Sequence, residues 1–244
     1  MRKKRVAING MGRIGRLCFR ALLGREDIEV IAVNDREPID IVAYLIRHST
    51  EHGALDCMWN VEAINGALVL NGNRIPAFGE ENATNLPWKD LDVDLVLECT
   101  GVYSSRVKAQ AHIDAGAKRV LVSAAAGNNV PTVIYGINEG TIEDNDLIVS
   151  GASCSAVGLA PLVKALNEIA PIEHGISTTI HAITPTQMVL DNPQRNGNLR
   201  RSRTAFANIV PTTASAAKSV ELVLPELKGK LSGSAIRVPV AKGS

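Results

Sequence analysis

The sequence predicts an α/β protein, a doubly wound, mostly parallel sheet followed by a smaller α+β domain. Three observations predict it. Over residues 1–150, short runs rich in Val, Ile and Leu alternate with helix-like stretches, the pattern of strands buried on both faces and joined by crossover helices. A glycine-rich turn stands between the first strand and the first helix. After Ser150 the elements become few, and a long polar loop, TPTQMVLDNPQRNGNLRRSRTA, separates them.

RVAING is the first strand. Ile14, Leu17, Cys18, Ala21 and Leu22 then recur at helical spacing, which predicts a helix with one apolar stripe. IEVIAVND, DVDLVLECTG, KRVLVSA, TVIYGIN and DLIVSGA read as further strands, and SSRVKAQAHIDAG as a helix that Gly116 ends. Beyond residue 150 come an amphipathic helix carrying Leu159, Leu162, Val163, Leu166 and Ile169, the strand GISTTIHA, the long loop with its four arginines, a helix from about Thr213 to Leu224, and a strand around SAIRVPV. The expected domains are 1–150 and 151–244.

Composition excludes several classes. The 244 residues carry 26 Lys and Arg against 25 Asp and Glu, a formal net charge of +1, so no global field draws the chain to nucleic acid or a membrane surface. Cys18, Cys57, Cys99 and Cys154 include no CxxC pair. That predicts free thiols in a reducing compartment, with no disulfide frame and no metal site. Cys18 and Cys99 lie on predicted core elements and read as packing residues. The basic N-terminus, with an apolar run of only four residues, is neither a signal peptide nor a membrane span. The expected location is the cytoplasm.

Two features carry chemistry. In GMGRIG, Gly10 permits a tight turn, Gly12 lets backbone approach a pyrophosphate, and Gly15 lets the helix pack on the sheet. Asp35, twenty residues past Gly15 at the end of the second strand, is placed for an adenosine ribose. This makes the sheet a Rossmann-type one. The carboxylate favours NAD over NADP, while Arg36 beside it leaves NADP open. The second feature is Cys154, at the mouth of a helix whose positive end favours thiolate, with His181 ending a strand twenty-seven residues later. There Ile176, Thr178 and Ile180 fall on one face, and Ser177, Thr179 and His181 on the other. Such a histidine can activate the thiol; by spacing alone the two residues could equally be a packed cysteine and a satisfied histidine. His48, His52, His112 and His174 show no comparable setting.

Taken in order, GMGRIG, VND, ECTG, ASCS, TTIHAITPTQ, LRRSR, NIVPTT, VLPELKGKL and RVPV resemble the glyceraldehyde-3-phosphate dehydrogenase family over nearly the whole chain. The resemblance implies NAD-dependent phosphorylating oxidation of a small phosphorylated aldehyde through a cysteine hemithioacetal and thioester, with Cys154 as nucleophile and His181 as base. It implies that Arg13 and Ile14 offer backbone to the pyrophosphate and that Thr100 and Ser123 line the cofactor groove. Ser153 and Ser155 flank the cysteine where inorganic phosphate attacks. Thr184 and Arg237 match the substrate-phosphate site, Thr186 is compatible with it, and Arg201 matches a phosphate-contacting arginine. Where the family has Thr-Gly in a phosphate site, this chain has Ala214 and Ser215, so one hydroxyl is lost and another displaced. Ser155, Ala156, Val157 and Gly158 replace the family's Thr-Thr-Asn-Cys.

The family also continues past RVP with further strands, an asparagine that orients the nicotinamide, and a terminal helix. The expectation is therefore an incomplete catalytic sheet with an exposed edge, either in a truncated product or in a chain completed from elsewhere. A complete chain is expected to form a homotetramer. The alternatives are an erythrose-4-phosphate dehydrogenase, or a truncated nucleotide-binding protein without activity. Aspartate-semialdehyde dehydrogenase shares the Cys–His logic but not the TTIHAITPTQ and VLPELKGKL stretches.

Overall fold

A computed structural model describes residues 2–194 and 197–243; Arg195, one of the four loop arginines, lies outside the described residues. The chain divides into two units, one of Met1–Thr132 with Ile142–Gly151, the other of Val133–Thr141 with Ala152–Ser244.

In the first unit the elements are β1 (Lys4–Asn9), α1 (Arg13–Leu22), β2 (Ile28–Asn34), α2 (Ile39–Arg47), the short pair β3 (His48–Ser49) and β4 (Gly53–Ala54), β5 (Val61–Ile64), β6 (Ala67–Leu70), β7 (Asn73–Phe78), β8 (Leu95–Glu98), α3 (Arg106–Asp114), β9 (Val120–Val122) and β10 (Ile148–Ser150). Among the described residues, eight of these strands form one sheet in the order β10-β9-β8-β1-β2-β7-β6-β5. It is parallel from β10 through to β7 and antiparallel across β7, β6 and β5. Successive residues of β1 enter opposite cores. Ala7 joins Trp88, Val96 and Ala109 on the α3 side, while Ile8 joins Phe19, Val42 and Ile46 on the side of α1 and α2. Both faces are covered, which is why these strands read as unbroken apolar runs. The β5–β6–β7 meander turns at Asn65-Gly66 and Asn71-Gly72, all four residues at positive φ, as two-residue hairpins require.

Two segments before residue 150 depart from the sequence expectation. The stripe on α1 does not face inward as a whole: Gly15 and Phe19 are buried, and Ile14 is 45% exposed. A Cβ on Gly15 would lie 1.8 Å from the Gly10 carbonyl oxygen. That close packing fixes the helix rotation and turns Ile14 outward. TVIYGIN is not a strand. Thr132 makes a single parallel bridge to Ser150, and the chain then turns. Ile134, beyond the bridge, is buried in the second unit's core, so its apolar character serves that core and no ladder.

The second unit contains α4 (Cys154–Ile169), β11 (Gly175–His181), β12 (Val210–Thr212), α5 (Ala216–Val223) and β13 (Leu231–Arg237). Its sheet runs β11-β13-β12, with β11 parallel and β12 antiparallel to β13. On α4 the buried positions are Ala156, Ala160 and Val163, packed with Val220, Val223, Leu224 and Leu227. Of the expected stripe, Val163 is buried and Leu159 packs against this core, while Leu162, Leu166 and Ile169 are exposed. Alanines at i and i+4 let α4 and α5 approach closely, so the small face is the one buried. On β11 the alternation holds, with Ile176, Thr178 and Ile180 on the exposed face and Ser177, Thr179 and His181 half-buried. Among the described residues no helix is long and apolar enough to cross a membrane.

Candidate active site

Cys154 opens α4, and local chain geometry puts it there. Ala152, buried, adopts φ 62, a left-handed conformation that costs an alanine about 1 kcal/mol. Ser153 follows as the N-cap, its hydroxyl accepting from the Ala156 N–H at 3.3 Å. The next residue, Cys154, is exposed at the helix mouth, and Ser155 is half-buried in the first turn. His181 is the last residue of β11, paired in register with Arg237 of β13. Its Nδ1 lies 2.7 Å from the Ala182 carbonyl oxygen. A carbonyl can only accept, so Nδ1 carries the ring proton and Nε2 presents a lone pair. That lone pair meets Cys154 Sγ at 3.2 Å. The imidazole is thus held in the one tautomer that can take the thiol proton.

Beside this pair lies an anion-shaped cluster. Arg237, 7% exposed, donates from Nη1 to Thr184 Oγ1 at 2.5 Å, and Thr184 and Thr186 hydroxyls are 2.9 Å apart. Arg201 donates from Nε and Nη2 to Thr212 Oγ1 at 3.1 and 2.8 Å, and from Nη1 to Thr186 Oγ1 at 3.2 Å. Burial, then the neighbouring Arg201, lowers the Arg237 pKa from its ordinary value, while Cys154 opposes this. Neither arginine is in an ion pair among the described residues, and Arg237 Nε is buried with no partner. Two guanidiniums converging on hydroxyls suit a phosphoryl group. Ala214 and Ser215 do not join the cluster by any described hydrogen bond; Ser215 is the residue before α5, and its side chain does not cap the helix. Thr212 was not singled out from the sequence. The only signal for it was its place in NIVPTT, two residues before the altered Ala214-Ser215 pair. Gln187, buried with both amide atoms unpartnered, was also passed over.

The glycine loop fits a dinucleotide. Gly10 has φ 93, and a Cβ there would lie 2.7 Å from Thr100 N. Above Gly12 nothing stands within 4 Å of such a Cβ, which leaves the backbone open to a pyrophosphate. The first turn of α1, with Arg13 and Ile14, has no acidic residue and no side-chain cap, so its amides face the loop unneutralised. Arg13 pairs with Glu51 at 3.8 Å. The Asp35 carboxylate accepts from the N–H groups of Met11 and Glu37, which fixes it beside the loop, and Arg36 pairs with Glu81. Thr100 and Ser123 are exposed just past the carboxyl ends of β8 and β9, the edge where open α/β sheets bind ligands.

The chain matches two family models. One is described as glyceraldehyde 3-phosphate dehydrogenase, NAD binding domain, over residues 4–106; the other as the C-terminal domain of the same enzyme, over residues 153–244. Similar curated relatives include the glyceraldehyde-3-phosphate dehydrogenase of Lactobacillus delbrueckii subsp. bulgaricus, 50% identical over 98% of this chain and 72% of the relative. That of Clostridium acetobutylicum is 44% identical over 98% of this chain and 71% of its own length. That of Chlamydia trachomatis is 47% identical over 97% and 70%.

Proposed function

Since the chain belongs to the glyceraldehyde-3-phosphate dehydrogenase family and is an NAD-dependent oxidoreductase, we propose that it oxidises glyceraldehyde 3-phosphate with uptake of inorganic phosphate. The observation that carries this reading is the Cys154 Sγ to His181 Nε2 contact of 3.2 Å, with Nδ1 tied to the Ala182 carbonyl. His181 takes the thiol proton, and the sulfur attacks the aldehyde carbon as the carbonyl electron pair moves to oxygen. His181 returns its proton to that oxygen, giving a hemithioacetal on Cys154, and later removes it again as hydride leaves the carbon. Bound NAD supplies the hydride acceptor. The resulting thioester is opened by a phosphate oxygen: the carbon–sulfur bond breaks, the sulfur departs as thiolate, and the acyl phosphate 1,3-bisphosphoglycerate is released.

In this reading Arg237, Thr184 and Thr186 hold the substrate phosphate, Arg201 contacts phosphate, and Ser153 and Ser155 flank the attacking one. Gly10, Gly12, Arg13, Ile14, Gly15, Asp35, Thr100 and Ser123 hold NAD. Residues 1–150 then serve the cofactor and 151–244 the thiol chemistry. We place the protein in the cytoplasm, in keeping with its four free cysteines, and as a homotetramer. The four-carbon sugar phosphate gains no support from the relatives, which carry the three-carbon name.

The test is iodoacetamide alkylation mapped by peptide mass spectrometry, with exposed Cys57 as internal comparison. Cys154 is expected to react faster, and His181→Ala to slow it about tenfold or more. Equal rates at the two cysteines, unmoved by the variant, sink the thiol mechanism. Turnover with NAD, phosphate and each sugar phosphate then decides the substrate, with higher kcat/KM expected for the three-carbon aldehyde.

A further inference from the structure

Behind the glycine loop lies a polar chain that the chemistry above does not use. Glu98, the last residue of β8, is 1% exposed, and His112 of α3 and Trp88 are fully buried. Trp88 Nε1–H donates to His112 Nδ1 at 3.1 Å. The ring proton therefore sits on Nε2, which donates to Glu98 Oε2 at 3.0 Å. Asn9 Nδ2 donates to the same oxygen at 2.5 Å. Thr100 gives the other oxygen both its backbone N–H, at 2.7 Å, and its hydroxyl. Asn9 Oδ1 accepts from Asn34 Nδ2 at 2.7 Å. Asn34 is in turn keyed to the Glu80 backbone, accepting from its N–H at 2.8 Å and donating to its carbonyl at 2.9 Å.

Every amide in this relay is oriented from both ends. Glu80 fixes Asn34, Asn34 fixes Asn9, and Trp88 fixes the histidine tautomer. All four donors point at one carboxyl group, whose two oxygens accept two apiece. The relay also ties together three strand ends. Gly10 N–H donates to the Asn34 carbonyl and Cys99 N–H to the Asn9 carbonyl, both at 2.7 Å. The Gly10 backbone rests against the Thr100 segment so tightly that no Cβ fits between them.

We propose that Glu98 is a positioning residue for the NAD site, holding Thr100, and through it the glycine loop, where two donor chains converge on its carboxylate, one from Glu80 through Asn34 and Asn9 and one from Trp88 through His112. The inference rests on NAD binding by this unit and on nothing in the thiol chemistry.

Glu98→Gln keeps the shape, but its NH2 must face either the Thr100 donors or those of Asn9 and His112. Isothermal titration of the full chain is expected to show about ten- to hundredfold weaker NAD binding, the scale of one unpaired buried donor. Cys154 alkylation without NAD is expected to stay at the parent rate. Adding Asn9→Asp returns a carboxylate within reach, because position 9 also lies 3.4 Å from His112 Nε2, and most of the affinity is expected to recover. Leu68→Ala, fully buried in the same unit and outside the relay, is expected to lower Tm while leaving NAD affinity within about twofold. Parent-like affinity in Glu98→Gln overturns the proposal. So does loss in Leu68→Ala proportional to its Tm, and so does a double variant without recovery. Should Glu98→Gln not fold, Trp88→Phe removes only the terminal donor; severalfold weaker binding supports the relay, and unchanged binding overturns it. Absence of NAD binding in the parent chain would strike the cofactor assignment instead.

Discussion

Cys18 and Cys99 show how far a residue's type falls short of its setting. Both are half-buried against the core of the first unit, as their places on apolar elements implied. Their thiols also interact. A hydrogen bond from Cys99 brings the Cys18 pKa down to about 7 against the pull of burial, and the same contact, with burial, pushes Cys99 up. The folded value for Cys18 is the depressed one. Its contribution to stability is therefore present above the unfolded thiol value and lost as pH falls through about 7. Cys99→Ala is expected to return the pH midpoint of Cys18 alkylation to the ordinary thiol range near ~8.5, and an unmoved midpoint would show that Cys99 is not the cause. Sequence spacing placed Cys154 and His181 as a candidate pair for a related reason: helix mouth and strand end are local properties. The Ala182 carbonyl that selects the tautomer is a matter of rotamer, which no spacing displays.

Elements were legible where one local pattern decided them. Val, Ile and Leu runs gave the parallel strands, and the glycines gave the loop before α1. Gly116 ends α3 at φ 98, and a Cβ there would stand 2.4 Å from Lys89 Cβ. Gly116→Ala is expected to destabilise the chain by about 2 kcal/mol or more, combining left-handed strain with a backbone clash. Urea unfolding measures it, and a loss under about 0.5 kcal/mol, the scale of an ordinary surface change, would mean the neighbouring segment yields freely. Patterns failed where two cores compete for one residue. TVIYGIN is apolar because Ile134 fills the second unit's core, and α4 buries its alanines where its leucines were expected to face in. His112 looked unremarkable because its partners, Glu98 and Trp88, come from distant parts of the chain that only the folded sheet brings together.

For the whole molecule the sequence implied assembly through family resemblance, and the second unit offers a surface for it. Ile176 and Ile180, 85% and 58% exposed, stand on one face of the edge strand β11. With Thr178 between them on the same face, they are the residues through which we propose to test assembly. Ile176→Glu with Ile180→Glu is expected to shift sedimentation velocity from an associated species to a smaller one while leaving secondary structure intact by circular dichroism. A parent chain that is already monomeric, or a variant that sediments identically, would remove this face from the assembly.

The relay's indole end has an optical consequence. The chain has two tryptophans, and both Trp88, sealed in the interior with Phe78 edge-on at 6.2 Å, and Trp59 belong to the first unit. Tryptophan emission, excited selectively over the tyrosines, is therefore a spectator of that unit alone. The second unit, with the nucleophile, can lose its packing in the dark, so a single fluorescence transition on this chain certifies half a molecule.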